Sequence, residues 1–302
     1  MAPGKELWVT SAAAVSAVAL WGLAFPLIQI GLESASPVML GFVRFVLASA
    51  LMIAVLLWKY PTSEIALVAR NEWKPLLALG LLYVSIPNVA QNIGLQSGTS
   101  SIASVIQSSG PVMTLVFAVV LLGERLTRMK SLGTAVAMGG TLLLVASGGI
   151  SLGNEDFVSN IFILISATSY GLAWVSAKRM LERNPPFLII GLSLAFGTAV
   201  LAVALPFESD LKFELNSESI INILVLGLLC GAVSSVLYLT SLEHQEVSKM
   251  AFFIYLMPVF ASVFAWLLRD EGVEPWTAVC GVVIVAGIVI ANQNGSRSKQ
   301  RA

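Results

Sequence analysis

One basic residue lies well inside a long apolar segment of the sequence. Arg44 follows the start of the run 38–58 by about six residues, which is roughly 9 Å along a helix. A charge at that depth in lipid costs at least about 2.5 kcal/mol, so the side chain must face protein or water. Two roles stay open for it. The guanidinium can bind an anionic group of a substrate, such as a carboxylate, or it can make a structural contact with backbone carbonyls or with Glu33.

Amide side chains mark one face of the next apolar segment, where Asn88, Gln91 and Asn92 lie three or four residues apart. Unpaired amides are costly in lipid, so this face must point into the protein. Gln107 continues the polar pattern on the following segment. We expect these groups to form a cavity wall, and hydrogen bonding between helices is the alternative. The second half of the chain offers Ser235, Tyr238 and Tyr255 at the corresponding segments.

Aromatic residues recur with the same spacing in the two halves of the chain. Trp21 and Phe25 are four residues apart, and so are Tyr170 and Trp174. A pocket of rings and amides suits an organic solute with apolar parts. The alternative is ordinary packing. A position at the membrane interface is disfavoured because Trp21 and Trp174 lie well inside apolar runs.

The chain that positions these residues is 302 residues long, 57% hydrophobic and only 11% charged. A soluble domain carries about 25% charged residues, so membrane lipid is the expected solvent. The net charge of zero gives no indication of a nucleic-acid partner. Helices are expected because lipid offers the backbone no hydrogen-bond partners, which predicts an all-α integral membrane protein. Ten apolar runs are long enough to cross as transmembrane helices: 8–31, 38–58, 73–94, 99–122, 129–147, 158–181, 187–206, 219–242, 248–269 and 276–292.

Basic residues are distributed unequally between the two sides that ten crossings define. Of the 17 lysines and arginines, Arg44 lies well inside a predicted helix, only Lys212 and Arg269 lie at the side opposite the termini, and the other 14 lie at the side of the termini. Basic residues accumulate on the cytoplasmic side of membrane proteins. The distribution therefore predicts cytoplasmic N- and C-termini.

The sequence contains one phrase twice, as "GPVMTLVFAVVLLGERL" at 110–126 and "MPVFASVFAWLLRDEGV" at 257–273. Pro111 recurs as Pro258, 147 residues later. "WGLAF" in the first predicted helix and "YGLAW" in the sixth are 149 residues apart. This order of matches at nearly constant offset predicts an internal duplication.

Each predicted copy contains five helices, and five is an odd number, so the second copy enters the membrane from the opposite side. The prediction is two inverted five-helix repeats, 1–147 and 158–292, around a central cavity, followed by a basic cytoplasmic tail at 293–302. Inverted repeats are common in secondary transporters, where a site between the two units is exposed to alternate sides.

Prolines interrupt four of the predicted helices and favour kinks, because proline removes a helical hydrogen bond. They are candidate hinges for alternating access, and static curvature is the alternative. The four are Pro26, Pro87, Pro111 and Pro258.

Motifs for cofactor, metal or nucleotide chemistry are missing from the sequence. There is no Walker motif and no deep pair of histidine and carboxylate residues, so we expect no cofactor, no metal site and no enzyme. Without an acidic residue at mid-membrane depth, transport is expected to be facilitated or only weakly coupled to protons. Ala135 and Gly139 would allow close helix packing, either internally or across a homodimer.

The motifs together resemble the drug/metabolite transporter superfamily, in particular its ten-helix EamA-type members. The carrying phrases are "WG" at 21–22, "SPVMLGFVRFVLA" at 36–48, and the duplicated phrases extended to 110–127 and 257–290. One departure is that the second copy reads Arg269-Asp270-Glu271 where the first reads Leu122-Gly123-Glu124.

The resemblance implies export of amino acids or other small metabolites, sometimes drugs, across a bacterial or archaeal plasma membrane. Ten helices around a central cavity are the implied fold. The preferred hypothesis is a secondary transporter of small organic metabolites, amino acids above all, that works by alternating access. A membrane channel or facilitator and a multidrug exporter are the alternatives, and a membrane-embedded enzyme is less favoured.

Overall fold

The computed structural model describes residues 3–97, 100–147, 154–269 and 275–292, and these are almost purely helical. Within these ranges the only β-type pairing is an isolated antiparallel bridge between Ala35 and Phe213. The α-helices are α1 (Pro3–Ser34), α2 (Pro37–Lys59), α3 (Thr62–Asn71), α4 (Trp73–Gly80), α5 (Ile86–Ser97), α6 (Ser100–Gln107), α7 (Gly110–Leu122), α8 (Arg128–Ser147), α9 (Asn154–Leu181), α10 (Pro186–Ala204), α11 (Ser217–Leu224), α12 (Ser234–His244), α13 (Val247–Phe253), α14 (Met257–Arg269) and α15 (Pro275–Asn292).

Several of these helices join end to end through short segments of a different helical pitch. A π-helical segment, Leu81–Ser85, joins α4 to α5, and a second, Val225–Val233, joins α11 to α12. A 3-10 segment, Ile254–Leu256, joins α13 to α14. In the part of the chain that the structure describes, seven helical segments are long and apolar enough to cross a membrane. The predicted all-helical fold is thereby confirmed for these residues, and it is consistent with a membrane protein. The count of ten crossings stays a prediction.

The segment predicted as one helix over 99–122 is divided into α6 and α7. The break falls four residues before the ring of Pro111, at Gln107. Proline has no N–H to bond the carbonyl of the fourth residue before it, and its ring clashes with that carbonyl. Ser109 N instead donates to the Ile106 carbonyl at 2.9 Å, which closes a tighter turn.

The loops meet at two rims. We call the face at which α1 begins the near face, and the face at which α1 ends the far face. At the near face Ser241 Oγ donates to the Thr10 carbonyl at 3.0 Å. At the far face Ser36 N donates to the Lys212 carbonyl at 3.0 Å. Segments that are distant in the sequence therefore meet at each of the two faces.

Close helix crossings at glycine occur in reciprocal pairs. A Cβ on Gly22 would lie 2.6 Å from the Cβ of Phe260, and a Cβ on Gly171 would lie 3.3 Å from the Cβ of Met113. Gly171 follows Gly22 by 149 residues, and Phe260 follows Met113 by 147 residues. The contact of Gly22 in the first half with Phe260 in the second is thus repeated by Gly171 in the second half with Met113 in the first.

The pair α8 and α15 shows the same exchange of partners. A Cβ on Gly140 would lie 2.9 Å from a side-chain carbon of Ile284, and a Cβ on Gly287 would lie 2.8 Å from the Cβ of Ala137. These positions are again 147 residues apart. The absence of side chains at the two glycines lets the helix backbones approach closely.

The two small residues considered for helix packing, Ala135 and Gly139, point elsewhere. Ala135 is exposed, and a Cβ on Gly139 would meet nothing within 4 Å. The internal contact of α8 uses other residues, so a role in a homodimer stays a prediction.

Candidate functional site

A central cavity lies between helices of both halves of the chain. The space that the centre of a water molecule can occupy in it is about 40 Å³. A single water needs roughly 10–15 Å³ by this measure, so the cavity has room for a few waters and must widen for an organic solute. Its walls are formed by Trp21, Ala24, Phe25, Arg44, Gln91, Gln107, Gly110, Thr114, Ala167, Tyr170, Gly171, Trp174, Ile254 and Met257.

Seven of the twelve residues predicted to bind substrate line this cavity: Trp21, Phe25, Arg44, Gln91, Gln107, Tyr170 and Trp174. The wall residues that the sequence did not indicate are small or apolar apart from Thr114. Such residues are common throughout a membrane protein, so their type carried no signal. The other five predicted residues lie outside the wall.

Arg44 is buried, with 5% of its surface exposed, and it faces the cavity. Its Nη1 donates to Asn88 Oδ1 at 3.3 Å, and its Nε has no hydrogen-bond partner. Its Cζ lies 5.0 Å from the ring centroid of Phe45. The considered pairing with Glu33 is not among the ion pairs of the described residues, and the Glu33 carbonyl accepts a hydrogen bond from Lys212 Nζ at 2.8 Å. The guanidinium is thus a buried charge without a carboxylate partner in the described structure.

Asn88 bridges Arg44 to an irregular part of its own helix. Its Nδ2 donates to the carbonyls of Tyr83, at 3.2 Å, and Val84, at 2.8 Å. The Tyr83 carbonyl lies four residues before Pro87, which has no N–H to offer it. The Asn88 side chain therefore replaces the backbone donor that Pro87 lacks, and it positions Arg44 at the same time.

Asn92 also serves the packing of helices. Its Nδ2 donates to the Pro37 carbonyl at the start of α2, at 2.8 Å. Neither Asn88 nor Asn92 lines the cavity, so of the three amides on α5 only Gln91 does. Hydrogen bonding between helices, the alternative considered for this face, describes the contacts of the other two.

An aromatic layer closes the cavity on its near side. Trp174 is its centre, with ring-centroid distances of 5.5 Å to Trp21, 4.9 Å to Tyr83 and 4.5 Å to Tyr238. Tyr83 OH and Ser235 Oγ form a hydrogen bond of 2.5 Å across this layer. Ser235 and Tyr238 lie in or behind the layer and are not part of the cavity wall. Tyr83 is a residue that sequence reasoning missed, although it precedes the amide face of the same helix by only five residues.

Polar groups and aromatic groups are separated by depth. Arg44, Gln91 and Gln107 lie about six or seven residues from the far ends of their helices, which is roughly 10 Å. Trp174 and Tyr238 lie a similar distance from the near ends of α9 and α12. The far half of the site is polar, and the near half is aromatic and closed.

Tyr255 is directed away from the cavity. It packs with Phe252, Ala137, Ile284 and Ala291 in a separate cluster against α8 and α15. The neighbouring Ile254 lines the cavity instead. The 3-10 segment over Ile254–Leu256 turns the chain more tightly than an α-helix, so the faces of α13 and α14 do not follow one register.

Three of the four candidate hinge prolines adjoin a departure from the α-helix. Pro87 follows the π-helical segment of α4–α5, Pro111 follows the break before α7, and Pro258 follows the 3-10 segment before α14. Pro26 lies inside α1, which continues without a break. Their role as hinges remains a prediction.

A carboxylate caps a helix at each rim. At the near rim Glu124 Oε1 accepts from Val247 N at 2.9 Å, at the start of α13, and Glu124 also accepts from Ser248 Oγ. At the far rim Glu208 Oε1 accepts from Val38 N at 2.9 Å, at the start of α2. Helix N-termini attract negative charge, so the two carboxylates stabilise the starts of α13 and α2.

Two lysines reinforce the near rim. Lys130 Nζ lies 3.4 Å from Glu124 Oε2 and 2.7 Å from Glu246 Oε2. Burial raises the pKa of Glu246, but the hydrogen bond from Lys130 and the charge of Lys249 outweigh that effect and hold the pKa below its usual value. Lys178 Nζ binds the carbonyls that end α12, including that of Leu242 at 2.7 Å.

Within the described residues, no group of histidine, cysteine, aspartate or glutamate side chains is placed to hold a metal ion. The recognition elements of the site are therefore one guanidinium, two amides, a threonine and aromatic rings. Rings, amides and one charge around a cavity are the type of lining that suits an organic solute.

Comparison with known proteins assigns the family. The profile of the EamA-like transporter family matches residues 8–146 and 158–293. A relative from Archaeoglobus fulgidus named "Uncharacterized transporter" is 26% identical, over 90% of this chain and 93% of the relative. A relative from Streptantibioticus cattleyicolor named "Probable terminal-alkyne amino-acid exporter" is 27% identical, over 96% of this chain and 94% of the relative. A solved crystal structure shares the fold, with a TM-score of 0.78 at 20% identity, over 94% of this chain and 96% of that one. Because the profile matches most of its length, the chain belongs to the EamA-like transporter family, within the drug/metabolite transporter superfamily that its motifs resemble.

Proposed function

We propose that this protein is a secondary transporter that exports small organic metabolites, amino acids above all, by alternating access. The central cavity carries the proposal, because it combines aromatic walls with one guanidinium and two amides well inside their helices. The name of the Streptantibioticus cattleyicolor relative, an amino-acid exporter, supports the choice of substrate.

Ten crossings in two inverted repeats are part of this proposal. The reciprocal contacts of Gly22 with Phe260 and of Gly171 with Met113 support it. So does the hydrogen bond of 2.8 Å between Ser49 Oγ and Thr198 Oγ1, since these residues are themselves 149 positions apart. The family profile also matches the two halves separately.

Alternating access accounts for the asymmetric lining of the site. The polar wall lies toward the far face, while the packed aromatic layer lies toward the near face. A carrier must open that side at another stage of its cycle. A channel instead needs a continuous path, which the aromatic layer blocks. Because no carboxylate is among the described residues of the cavity wall, the proposed transport is facilitated or only weakly coupled to protons.

The near face is proposed as the cytoplasmic face of a bacterial or archaeal plasma membrane, because the basic residues accumulate there. The exposed Ser209 at the far rim and the exposed Ser63 on α3 at the near rim provide a matched pair of reporters. In intact cells a membrane-impermeant maleimide should label the Ser209→Cys variant and spare the Ser63→Cys variant. The reverse pattern would overturn the orientation.

Counterflow in liposomes tests the transport function. Purified protein is reconstituted into liposomes loaded with an unlabelled amino acid, and labelled amino acid is added outside. A carrier should give a transient uphill uptake of label with at least one amino acid. Uptake that only equilibrates, without an overshoot, would favour the channel, and uptake no faster than in protein-free liposomes for all amino acids would reject amino-acid transport.

A further inference from the structure

The least compensated group of the cavity is the guanidinium of Arg44. It offers five N–H donors, of which one bonds Asn88 Oδ1 and the Nε hydrogen bonds nothing. An arginine remains charged in proteins, so burial cannot neutralise it as it can a lysine. A buried charge without a counter-charge is unfavourable, and a solute that supplies a negative group relieves it.

A purely structural role does not explain the charge. The equivalent position in the second half, 149 residues later, is Ser193, whose Oγ bonds the Ile189 carbonyl of its own helix at 2.6 Å. The close approach at Arg44 involves its backbone, because a Cβ on Gly227 would lie 2.7 Å from the Arg44 carbonyl oxygen. The helix contact therefore needs no guanidinium.

The other unpaired polar atoms of the wall are neutral. Gln107 Oε1 is an acceptor without a partner, and Trp174 Nε1 is a donor without a partner. No carboxylate is among the described wall residues, so a solute ammonium group meets only neutral acceptors, such as the oxygens of Gln91, Gln107 and Thr114, and the faces of aromatic rings. The wall thus provides a full charge for an anion and only weak acceptors for a cation.

We propose, on the basis of the proposed transport function, that the cavity selects solutes by their carboxylate, which binds Arg44, while the amino group is dispensable. The solute class is a monocarboxylate whose apolar or aromatic side chain packs against Trp21, Tyr170 and Trp174. Apolar α-amino acids belong to this class, and so do their N-acyl derivatives.

The test compares phenylalanine, N-acetylphenylalanine and phenylalanine amide, which share the benzyl side chain. N-acetylphenylalanine keeps the carboxylate but has no charged amino group, and phenylalanine amide keeps the amino group but has no carboxylate. Binding is measured as the concentration-dependent rise of the melting temperature of the purified full chain, and transport is measured by counterflow. We expect phenylalanine and N-acetylphenylalanine to bind within about threefold of each other. Phenylalanine amide should bind roughly ten- to hundredfold more weakly, since it lacks a hydrogen-bonded ion pair.

Variants separate this role from a structural one. Arg44→Gln should weaken binding of the two acids by roughly ten- to hundredfold and leave the weak binding of the amide unchanged. Arg44→Lys should retain part of the affinity for the acids, because it keeps the charge without the planar donors. Ser193→Ala, at the equivalent position, is the control and should bind all three solutes as the unaltered protein does.

The outcomes distinguish the two proposals. Binding of the amide as tight as that of phenylalanine, or equal affinity of Arg44→Gln for the acids, overturns carboxylate selection even if counterflow occurs. Carboxylate-selective binding without counterflow overturns the transport function and leaves the selection standing. No binding of any of the three by folded protein overturns the selection, and whether other amino acids show counterflow then decides the transport function.

Discussion

The two π-helical segments of the molecule share a backbone arrangement, but different side chains form hydrogen bonds with their carbonyls. Leu81–Ser85 in α4–α5 and Val225–Val233 in α11–α12 occupy equivalent positions of the two halves. In the first half Asn88 donates to the Val84 carbonyl, and in the second half Ser235 donates to the Gly231 carbonyl, 147 residues later. π-helical turns leave carbonyls poorly paired, and both side chains remedy this locally.

The remaining polar atom of each side chain makes the difference. Asn88 Oδ1 holds Arg44 beside the cavity, whereas Ser235 Oγ meets Tyr83 OH in the aromatic layer. The π-helical backbone is therefore equivalent in the two halves, whereas the position equivalent to Arg44 is the uncharged Ser193. The comparison indicates that the two halves share a backbone arrangement, whereas the polar groups beside the cavity and in the aromatic layer differ between them.

Adding a charge at the equivalent position of the second half should have the largest effect on stability. Ser193 is 1% exposed, and its carbonyl oxygen would lie 2.9 Å from a Cβ on Gly80, so Ser193→Arg places a charge at a closely packed position outside the cavity wall. We expect a loss of several kcal/mol, seen as little folded protein or a melting temperature lower by 10 °C or more. Ser193→Ala should change the stability by only about 1 kcal/mol. A Ser193→Arg variant as stable as the unaltered protein would show that position 193 tolerates a buried charge as well as position 44 does.

Removing the Asn88 side chain should have the next largest effect. Asn88→Ala leaves the Tyr83 and Val84 carbonyls and Arg44 Nη1 without these partners, which should cost about 2–4 kcal/mol. Ser235→Ala affects one carbonyl and one hydroxyl and should cost about 1–2 kcal/mol. Thermal unfolding of the two purified variants under one condition gives the order, and equal losses would contradict it.

Much of the cavity was predictable from the sequence. The depth of Arg44, the spacing of the aromatic pairs and the amide at Gln91 all indicated the wall, because residue type at mid-membrane depth constrains a side chain strongly. Seven of the twelve candidates lie in one cavity for that reason.

The remaining assignments required the local helix geometry. Asn88 and Asn92 were placed on one face with Gln91 by a regular period, but the π-helical segment, Pro87 and the start of α2 give them other partners. Tyr83 was missed because it lies within the π-helical segment, where the regular period does not hold. Tyr255 was assigned to the wall because a 3-10 segment is not apparent from the sequence. Composition and periodicity do not show where one helix changes pitch.

The hydrogen bond across the aromatic layer should have a smaller effect on stability than on gating. Tyr83→Phe keeps the ring contacts with Trp174 and removes only the bond to Ser235, so we expect a loss of about 0.5–1.5 kcal/mol. The near side should then open more often, which would raise the labelling of a cavity cysteine by an impermeant reagent from the near face. Unchanged near-face labelling would show that this bond does not help to close the site.

The near rim should show the smallest effect, a dependence of stability on pH. The pKa of Glu246 is lowered in the folded protein by Lys130 and Lys249 against the effect of burial, so its contribution is present at neutral pH and is lost as the pH falls below about 4.5 through the folded pKa. The melting temperature should fall less between about pH 5 and about pH 3 for Glu246→Gln than for the unaltered protein. The effect should be small because about half of the Glu246 side chain is exposed, at 48%. Parallel pH curves for the two proteins would contradict it.

Protection of a cysteine in the cavity wall tests the central claim most directly. The claim is that the solute binds in this cavity through the charge of Arg44. Thr114→Cys is introduced after Cys230 and Cys280 have been replaced, and a membrane-impermeant thiol reagent is added at the far face. We predict that phenylalanine slows the labelling, and that the additional change Arg44→Gln leaves the labelling intact but abolishes the protection. Labelling that phenylalanine does not slow, or protection that persists in full without Arg44, would contradict the account.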